Sequence, residues 1–305
     1  VLAGISVLSL LLGTAITVIL SGNIVRPVNA LSTAMQRVAN GDYDVKLETK
    51  SNFEIIRRVY SDFNHMVDEL NAVETLRNDF VSNVSHEFKT PLSSIEGYAM
   101  LLQDESLSAE ARSEYTERIV VSTRRLSTLV SNILMITKIE NQTMPFTLSS
   151  YRVDEQVRQS ILLLENKWSE KNIGFEMDMD SIEFCAVEGL LGNVWSNLID
   201  NAIKFSPEGE IIYISLKEKD DMLSFKIANR GEPMSGETLK RIFEKFYQGD
   251  TSHKREGNGL GLALVKKIVR VHGGSVSAVN TEDGLIEFTV NLPAKRSCER
   301  CCGSN

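Results

Sequence analysis

No charged side chain occurs between Val1 and Val25, and Val1–Leu20 reads VLAGISVLSLLLGTAITVIL. At about 1.5 Å per residue, roughly twenty helical residues cross the ~30 Å hydrocarbon layer of a bilayer. Ser6, Ser9, Thr14 and Thr17 are tolerable in such a span because their hydroxyls can bond carbonyls one turn back. A buried helix and a signal peptide are the competing readings. A signal peptide calls for a basic start and a shorter apolar core, and neither is present. The first charge is Arg26, followed by Arg37 and Lys46. Basic residues on that side place it in the cytoplasm. Because the chain opens on Val1, an upstream portion is expected, with an earlier span and an outside domain.

The 305 residues allow about two domains beyond this span. With 42% hydrophobic and 24% charged residues, wholesale disorder is excluded. A net charge of -8 argues against a broad nucleic-acid-binding surface, so no nucleic-acid partner is expected. Cys298, Cys301 and Cys302 close the chain, while Cys185 stands alone. That is no disulfide scaffold, and the C-x-x-C half-site has no matching pair to complete a zinc site. Residues 296–305 read as a flexible, reduced tail.

Periodicity divides the rest. Residues 1–22 are the span, and 23–75 hold two short amphipathic helices. The first runs from about Pro27 to Ala39 and stops at Asn40-Gly41-Asp42; the second starts near Phe53 after the extended DVKLET. Val28, Leu31, Met35 and Val38 mark one stripe, and Ile56, Val59, Phe63, Met66 and Leu70 the other. Neither can be buried by this pair alone, and a dimeric four-helix bundle would solve that. Residues 76–142 read as an antiparallel helical hairpin turning near Asp104–Ser108. One stripe is Val81, Val84, Phe88, Leu92 and Ile95. The other is Ile119, Leu126, Leu129, Ile133 and Ile136, with a seven-residue repeat. Residues 150–295 alternate helices (154–171, 188–204, 236–244, 260–272) with strands (173–179, 210–217, 222–229, 274–280, 285–292), an α+β pattern.

Several clusters carry chemistry. In VSHEFKTPL, His86 falls roughly 160° from the centre of the apolar stripe at about 100° per residue, so it faces solvent. Glu87 adjoins it, Thr90 lies one turn on, and Pro91 removes the amide that would bond the Glu87 carbonyl. A lone exposed histidine or a solvated charge run usually does nothing. Here a nucleophilic imidazole, a neighbouring carboxylate and a helix-loosening proline coincide. In NLIDNAIKFSP, Asn197, Asn201 and Lys204 share one helical stripe. Amide oxygens suit Mg²⁺ and a lysine suits phosphate; the alternative is a wet helix face, which two asparagines at this spacing disfavour. GNGLGLALVKKIV places Gly257, Gly259 and Gly261 at the opening of a helix, where backbone can approach phosphate. The dinucleotide-binding spacing G-x-G-x-x-G is absent. Asn229-Arg230-Gly231-Glu232-Pro233-Met234 alone is a turn signal, and the polar QGDTSHKREGN has the makings of a lid.

The order of these motifs, with IFEKFYQGD and HGG, strongly resembles that of bacterial two-component sensor histidine kinases over residues 1–293. The resemblance implies a HAMP unit at 23–75 and a dimerisation and phosphotransfer domain at 76–142. It implies a GHKL-type α+β ATP-binding sandwich at 150–295. The HAMP second helix departs from the family at Phe53-Glu54-Ile55-Ile56-Arg57. Carried over, His86 is the phospho-acceptor, Glu87 its base or hydrogen-bond partner, and Thr90 supports dephosphorylation of the partner. Asn197 and Asn201 contact nucleotide and Mg²⁺, with Asn201 the metal ligand, and Lys204 contacts phosphate. Phe243 and Phe246 anchor the lid, and Gly257, Gly259 and Gly261 form the phosphate loop. Asn229 stands where the family has an adenine-reading aspartate, and Pro233 where it has a second glycine. An amide oxygen still accepts from the adenine amino group, without a carboxylate's charge. Gly231 keeps its close-approach position.

The implied activity is an ATP-dependent protein-histidine kinase acting as a homodimer in the cytoplasmic membrane on the receiver domain of a response regulator. A non-catalytic or phosphatase-only scaffold is the alternative, with Asn229 as its weak point. A GHKL ATPase of the chaperone type would need neither the span nor VSHEFKTPL, and a HAMP-bearing chemoreceptor would lack the ATP boxes.

Overall fold

The computed structural model describes residues 2–48, 53–141, 147–249 and 258–294. They fall into two compact units, one up to Ser85 and one from His86 onward.

In the first unit, α1 (Leu2–Leu20) runs through a π-helical turn at Ser21–Val25 into α2 (Arg26–Ala39). The described side chains of α1 are exposed on every side, apolar ones included. Hydroxyls of Ser9, Thr14 and Thr17 donate to the carbonyls of Ser6, Leu11 and Gly13 at 2.8–3.0 Å, the back-bonding that makes them tolerable in an apolar helix. Helix α2 stops at Asn40, and Gly41 takes φ +87° to turn the chain.

The extended segment after Gly41 is fastened to α3 (Glu54–Leu101). Asn64 holds both backbone groups of Leu47, accepting from its N–H at 2.9 Å and donating to its carbonyl at 2.8 Å. Ala34, Val45, Phe63 and Val67 form the small core between them. Two residues of each expected stripe are covered at least in part, Leu31 and Val38 on α2 and Ile56 and Phe63 on α3. Val28, Met35, Val59, Met66 and Leu70 stay exposed, because one pair of helices has only one mutual face to cover them.

In the second unit, the C-terminal part of α3 forms a hairpin with α4 (Ala109–Glu140). Ser108 caps α4 by accepting from the Ala111 N–H, and Tyr98 meets Tyr115 near the turn with ring centroids 5.5 Å apart. Helix α3 continues through Pro91, whose ring is buried. Val84, Phe88 and Ile95 are half-buried as expected, whereas Val81 and Leu92 are exposed. The stripe on α4 behaves as its period demands, with Leu129 and Ile136 fully inside. Helix α4 is long and apolar enough by length and composition to cross a membrane, yet Leu129 and Ile136 join the large hydrophobic core of the second unit, which is built on a sheet layer.

That layer is a five-stranded sheet of order β2-β4-β5-β7-β6, with β2 (Gly174–Met179), β4 (Ile211–Lys219), β5 (Met222–Arg230), β6 (Ser275–Asn280) and β7 (Leu285–Pro293). Only the β2–β4 pair is parallel. Strict alternation puts Ile212, Ile214 and Leu216, then Leu223, Phe225 and Ile227, then Ile286, Phe288, Val290 and Leu292 on one covered face. Helices α5 (Val153–Leu162), α7 (Glu188–Phe205) and α9 (Gly261–Val271) form the covering layer, with Trp195 against Phe225 at 4.7 Å between centroids.

The expected helix 154–171 divides into α5 and α6 (Glu165–Glu170), and the expected 236–244 ends as α8 (Gly236–Arg241). Two four-residue strands, β1 (Ser149–Arg152) and β3 (Glu183–Ala186), pair as a separate ribbon. Asp154 ties the ribbon to α5. Its buried carboxylate takes two hydrogen bonds from the Arg152 guanidinium at 2.6 and 2.9 Å and one from the Ile182 N–H, which hold its pKa down at about 2. Cys185 in β3 is disulfide-bonded. The tail 296–305, with its cysteines, lies outside the described residues.

Candidate active site

Helix α7 carries the polar stripe. Leu190, Leu191, Val194, Trp195, Leu198, Ile199, Ala202 and Ile203 are all buried, which fixes its rotation and turns Asn197, Asn201 and Lys204 away from the sheet. Both helix ends are pinned. At the start, the Val187 N–H donates to Nε2 of His272 (3.3 Å), while Nδ1 of that ring meets the Ile268 carbonyl at 2.8 Å. A backbone N–H can only donate, so Nε2 is the bare nitrogen and Nδ1 carries the proton. At the end, Nζ of Lys171 donates to the carbonyls of Ile203, Lys204 and Ser206 at 2.8–3.0 Å, answering groups that a helix terminus leaves open.

The glycines lie opposite. Gly259 has φ +64°, and a β-carbon there would stand 2.7 Å from the Phe246 backbone, whose N–H donates to the Gly259 carbonyl at 2.9 Å. A β-carbon on Gly261 would stand 2.6 Å from Oδ1 of Asn197. The HGG motif has structural reasons of the same kind. Gly273 takes φ +77°, and a side chain at Gly274 would collide with the Asn291 carbonyl at 2.2 Å.

Between stripe and glycines lies a cavity of about 620 Å³, within the size range of small-molecule and cofactor sites. Asn197, Asn201 and Lys204 line it from α7, Asn229 from β5, and Gly259 and Gly261 from the head of α9. Met234, Ile286 and Phe288 give it an apolar wall. Asn229 is buried, and its amide nitrogen donates to the Arg230 carbonyl at 3.1 Å, so the amide oxygen is the acceptor it has to offer. Gly231 stands behind it, where a β-carbon would come within 3.1 Å of Ile286 and 3.5 Å of the Asn229 amide.

Phe243 and Phe246 do not line the cavity. Phe243 is buried edge-on against Phe288, with centroids 6.4 Å apart, and Phe246 holds Gly259 through its backbone. Gly257 and most of the segment QGDTSHKREGN that was expected to form a lid, residues 250–257, lie outside the described residues.

Helix α4 closes the cavity with Arg124, Arg125, Thr128 and Asn132, none of which the sequence pattern singled out. Lys167 and Asp200 form an ion pair on its rim. Among the described lining residues, the cations Arg124, Arg125, Lys167 and Lys204 outnumber the carboxylates Asp200 and Glu232. That balance suits a polyphosphate. No cluster of three His, Cys, Asp or Glu side chains able to hold a metal occurs among the described residues. A divalent ion here would rely on neutral amide oxygens and phosphate.

His86 is exposed on α3, as its helical angle requires, and Glu87 beside it is half-buried. The Thr90 hydroxyl donates to the His86 carbonyl at 3.4 Å. Arg125 pairs with Glu87 at 3.6 Å, so one arginine borders the cavity and also touches the carboxylate next to His86.

Family models match in the same order along the chain. The HAMP domain matches residues 19–72, the His Kinase A (phospho-acceptor) domain 76–142, and the histidine kinase-, DNA gyrase B- and HSP90-like ATPase domain 186–296. The heme sensor protein HssS of Staphylococcus aureus is 33% identical over 288 residues, covering 94% of this chain. The chain spans 62% of the length of that relative. Among solved structures, full-length ShkA in complex with AMPPNP is 27% identical with a TM-score of 0.55, over 72% of this chain and 46% of that one. Histidine kinase ThkA in complex with the response regulator protein TrrA shares the fold, with a TM-score of 0.59 at 23% identity over 74% of this chain and 64% of that one. Domain order, cavity and relatives agree: the chain belongs to the two-component sensor histidine kinases.

Proposed function

We propose that the chain is the signalling portion of a membrane-anchored sensor kinase that phosphorylates itself on His86 from Mg·ATP and passes the phosphoryl group to an aspartate of a response-regulator receiver domain. The observation that carries this reading is a cation-rich cavity with glycine walls that borders the hairpin bearing an exposed histidine.

Each residue has a defined task. Asn229 accepts from the adenine amino group, and Gly231 lets the base lie close to the strand. Gly259 and Gly261 bring backbone against the phosphates, and Lys204 meets them as a point charge. Asn197 and Asn201 face the polyphosphate, with Asn201 offering its oxygen to Mg²⁺. A ring nitrogen of His86 attacks the γ-phosphorus, the bond to the β–γ bridging oxygen breaks, and ADP leaves. Glu87 takes the imidazole proton. Positioning and charge neutralisation supply most of the catalysis in phosphoryl transfer.

Helix α1, with Arg26 just beyond it, anchors the chain in the membrane with the catalytic part in the cytoplasm. The exposed apolar residues Val28, Met35, Val59 and Met66, and Val81 and Leu92 on the hairpin, are the surfaces a second copy would cover. Thr90, one turn from His86, is placed to assist hydrolysis of the phosphorylated partner.

Incubation with Mg²⁺ and ATP labelled at either the γ or the α position tests the reading. Label from the γ position alone, lost in acid and kept in base, is the expected result. Nucleotide binding without covalent label would instead favour the phosphatase or scaffold reading.

A further inference from the structure

We infer that Arg125 is a positioning residue that exchanges partners, holding Glu87 when the cavity is empty and turning to the nucleotide phosphates when it is filled. The inference rests on the kinase reading for what Glu87 does, but its first half concerns nucleotide binding alone.

The geometry gives Arg125 two neighbours of the same sign. One is the Glu87 carboxylate, 3.6 Å from its guanidinium. The other is whatever anion enters the cavity, because Arg125 itself lines that cavity beside Arg124 and Thr128. The contact with Glu87 is a loose one. It lies beyond the distance of a charge-assisted hydrogen bond, and the side chains of Arg125 and Glu87 are 38% and 24% exposed. Ion pairs of this kind contribute little, whereas a guanidinium and a phosphate form parallel charge-assisted hydrogen bonds. A polyphosphate therefore outcompetes Glu87 for Arg125.

The exchange has a consequence for the histidine. While Arg125 is on Glu87, the carboxylate is held toward α4. Once Arg125 turns to phosphate, Glu87 is released to orient His86 and accept its proton. Nucleotide loading and readiness of the acceptor are thereby joined through a single side chain, and an empty kinase keeps its base occupied.

Nucleotide affinity of the full chain in detergent or bilayer discs tests this, with ATP, ADP and adenosine titrated against wild type, Arg125→Gln, Arg125→Lys and Glu87→Gln. Loss of the guanidinium should weaken ATP about tenfold, the scale of a charged hydrogen bond, while leaving adenosine unchanged. Arg125→Lys should recover part of that loss. Glu87→Gln should tighten ATP by about two- to threefold, because it removes the competitor. Unchanged ATP affinity in Arg125→Gln would overturn the inference, and so would equal weakening of ATP and adenosine, which marks a merely structural role. Weakened ATP together with no effect of Glu87→Gln would also overturn it, leaving a phosphate contact without exchange. If wild type binds nucleotide but never acquires label, the kinase reading fails separately, and these affinities still decide the role of Arg125.

Discussion

Oδ1 of Asn197 lies 2.6 Å from the point where a β-carbon on Gly261 would stand. The amide nitrogen of Asn197 is meanwhile committed to the Asn193 carbonyl at 2.7 Å, so the side chain has a fixed direction and no slack. Gly261 is thus a glycine because an asparagine one helix away fills the space. Gly261→Ala should displace the Asn197 amide and lower ATP affinity by about tenfold or more, on the scale of a disturbed charged contact. Isothermal titration with ATP measures this. Thermal melting checks that the fold survives, since the methyl group meets a side chain and not the sheet.

His272 sits far from the phosphates yet bears on the site, because its bare Nε2 accepts from the Val187 N–H where α7 begins. His272→Ala removes both that acceptor and the donor to the Ile268 carbonyl. The Val187 N–H is then left without its acceptor, while the Ile268 carbonyl keeps the bond from the His272 backbone N–H at 3.2 Å, and a loss of about 1–3 kcal/mol is expected. Urea unfolding of the second unit reads it. Amide exchange should rise first at the start of α7.

Asp154 sets an acid limit. Its folded pKa, about 2, lies below an ordinary value of about 3.8. The stabilisation is therefore complete above the ordinary value and is lost as pH falls through about 4 toward about 2. Asp154→Asn should cost about 1–2 kcal/mol at neutral pH, reduced from the full linkage value because Arg152 is half exposed. Melting between pH 7 and pH 2 compares the two chains. The wild type should converge on the variant in acid.

Thr90 donates only to the His86 carbonyl in an exposed turn, so its removal should leave the helix intact. Thr90→Ala should slow the decay of the phosphorylated receiver domain several-fold while self-phosphorylation continues. A decay assay with purified phosphorylated partner measures it, and an unchanged rate would remove Thr90 from the phosphatase role.

Much of this was legible in the sequence because the residues concerned obey strong local rules. Helix α7 reads from its apolar spacing, which alone rotates Asn197, Asn201 and Lys204 outward. The angle of His86 follows from the stripe of Val84, Phe88 and Ile95. Strict alternation in β4, β5 and β7 announces one covered sheet face. What failed to read depends on partners distant in the chain. Leu163, exposed where α5 gives way to α6, looks like helix because nothing local breaks the pattern. Strands β1 and β3 are too short to show a period. The role of HGG is invisible until β7 and Val187 are beside it, and Arg125 reads as one more charge on a solvated helix until the cavity is closed. Phe243 packs into the core against Phe288 and Phe246 holds Gly259 through its backbone, while most of the segment both were expected to anchor lies outside the described residues.

The central claim is that the phosphoryl group travels from the cavity to His86. It is tested most directly by incubating wild type and His86→Gln with Mg²⁺ and γ-labelled ATP, measuring nucleotide affinity in parallel. The account predicts acid-labile label on wild type, none on the variant, and equal ATP affinity in both. Label persisting on His86→Gln would contradict it.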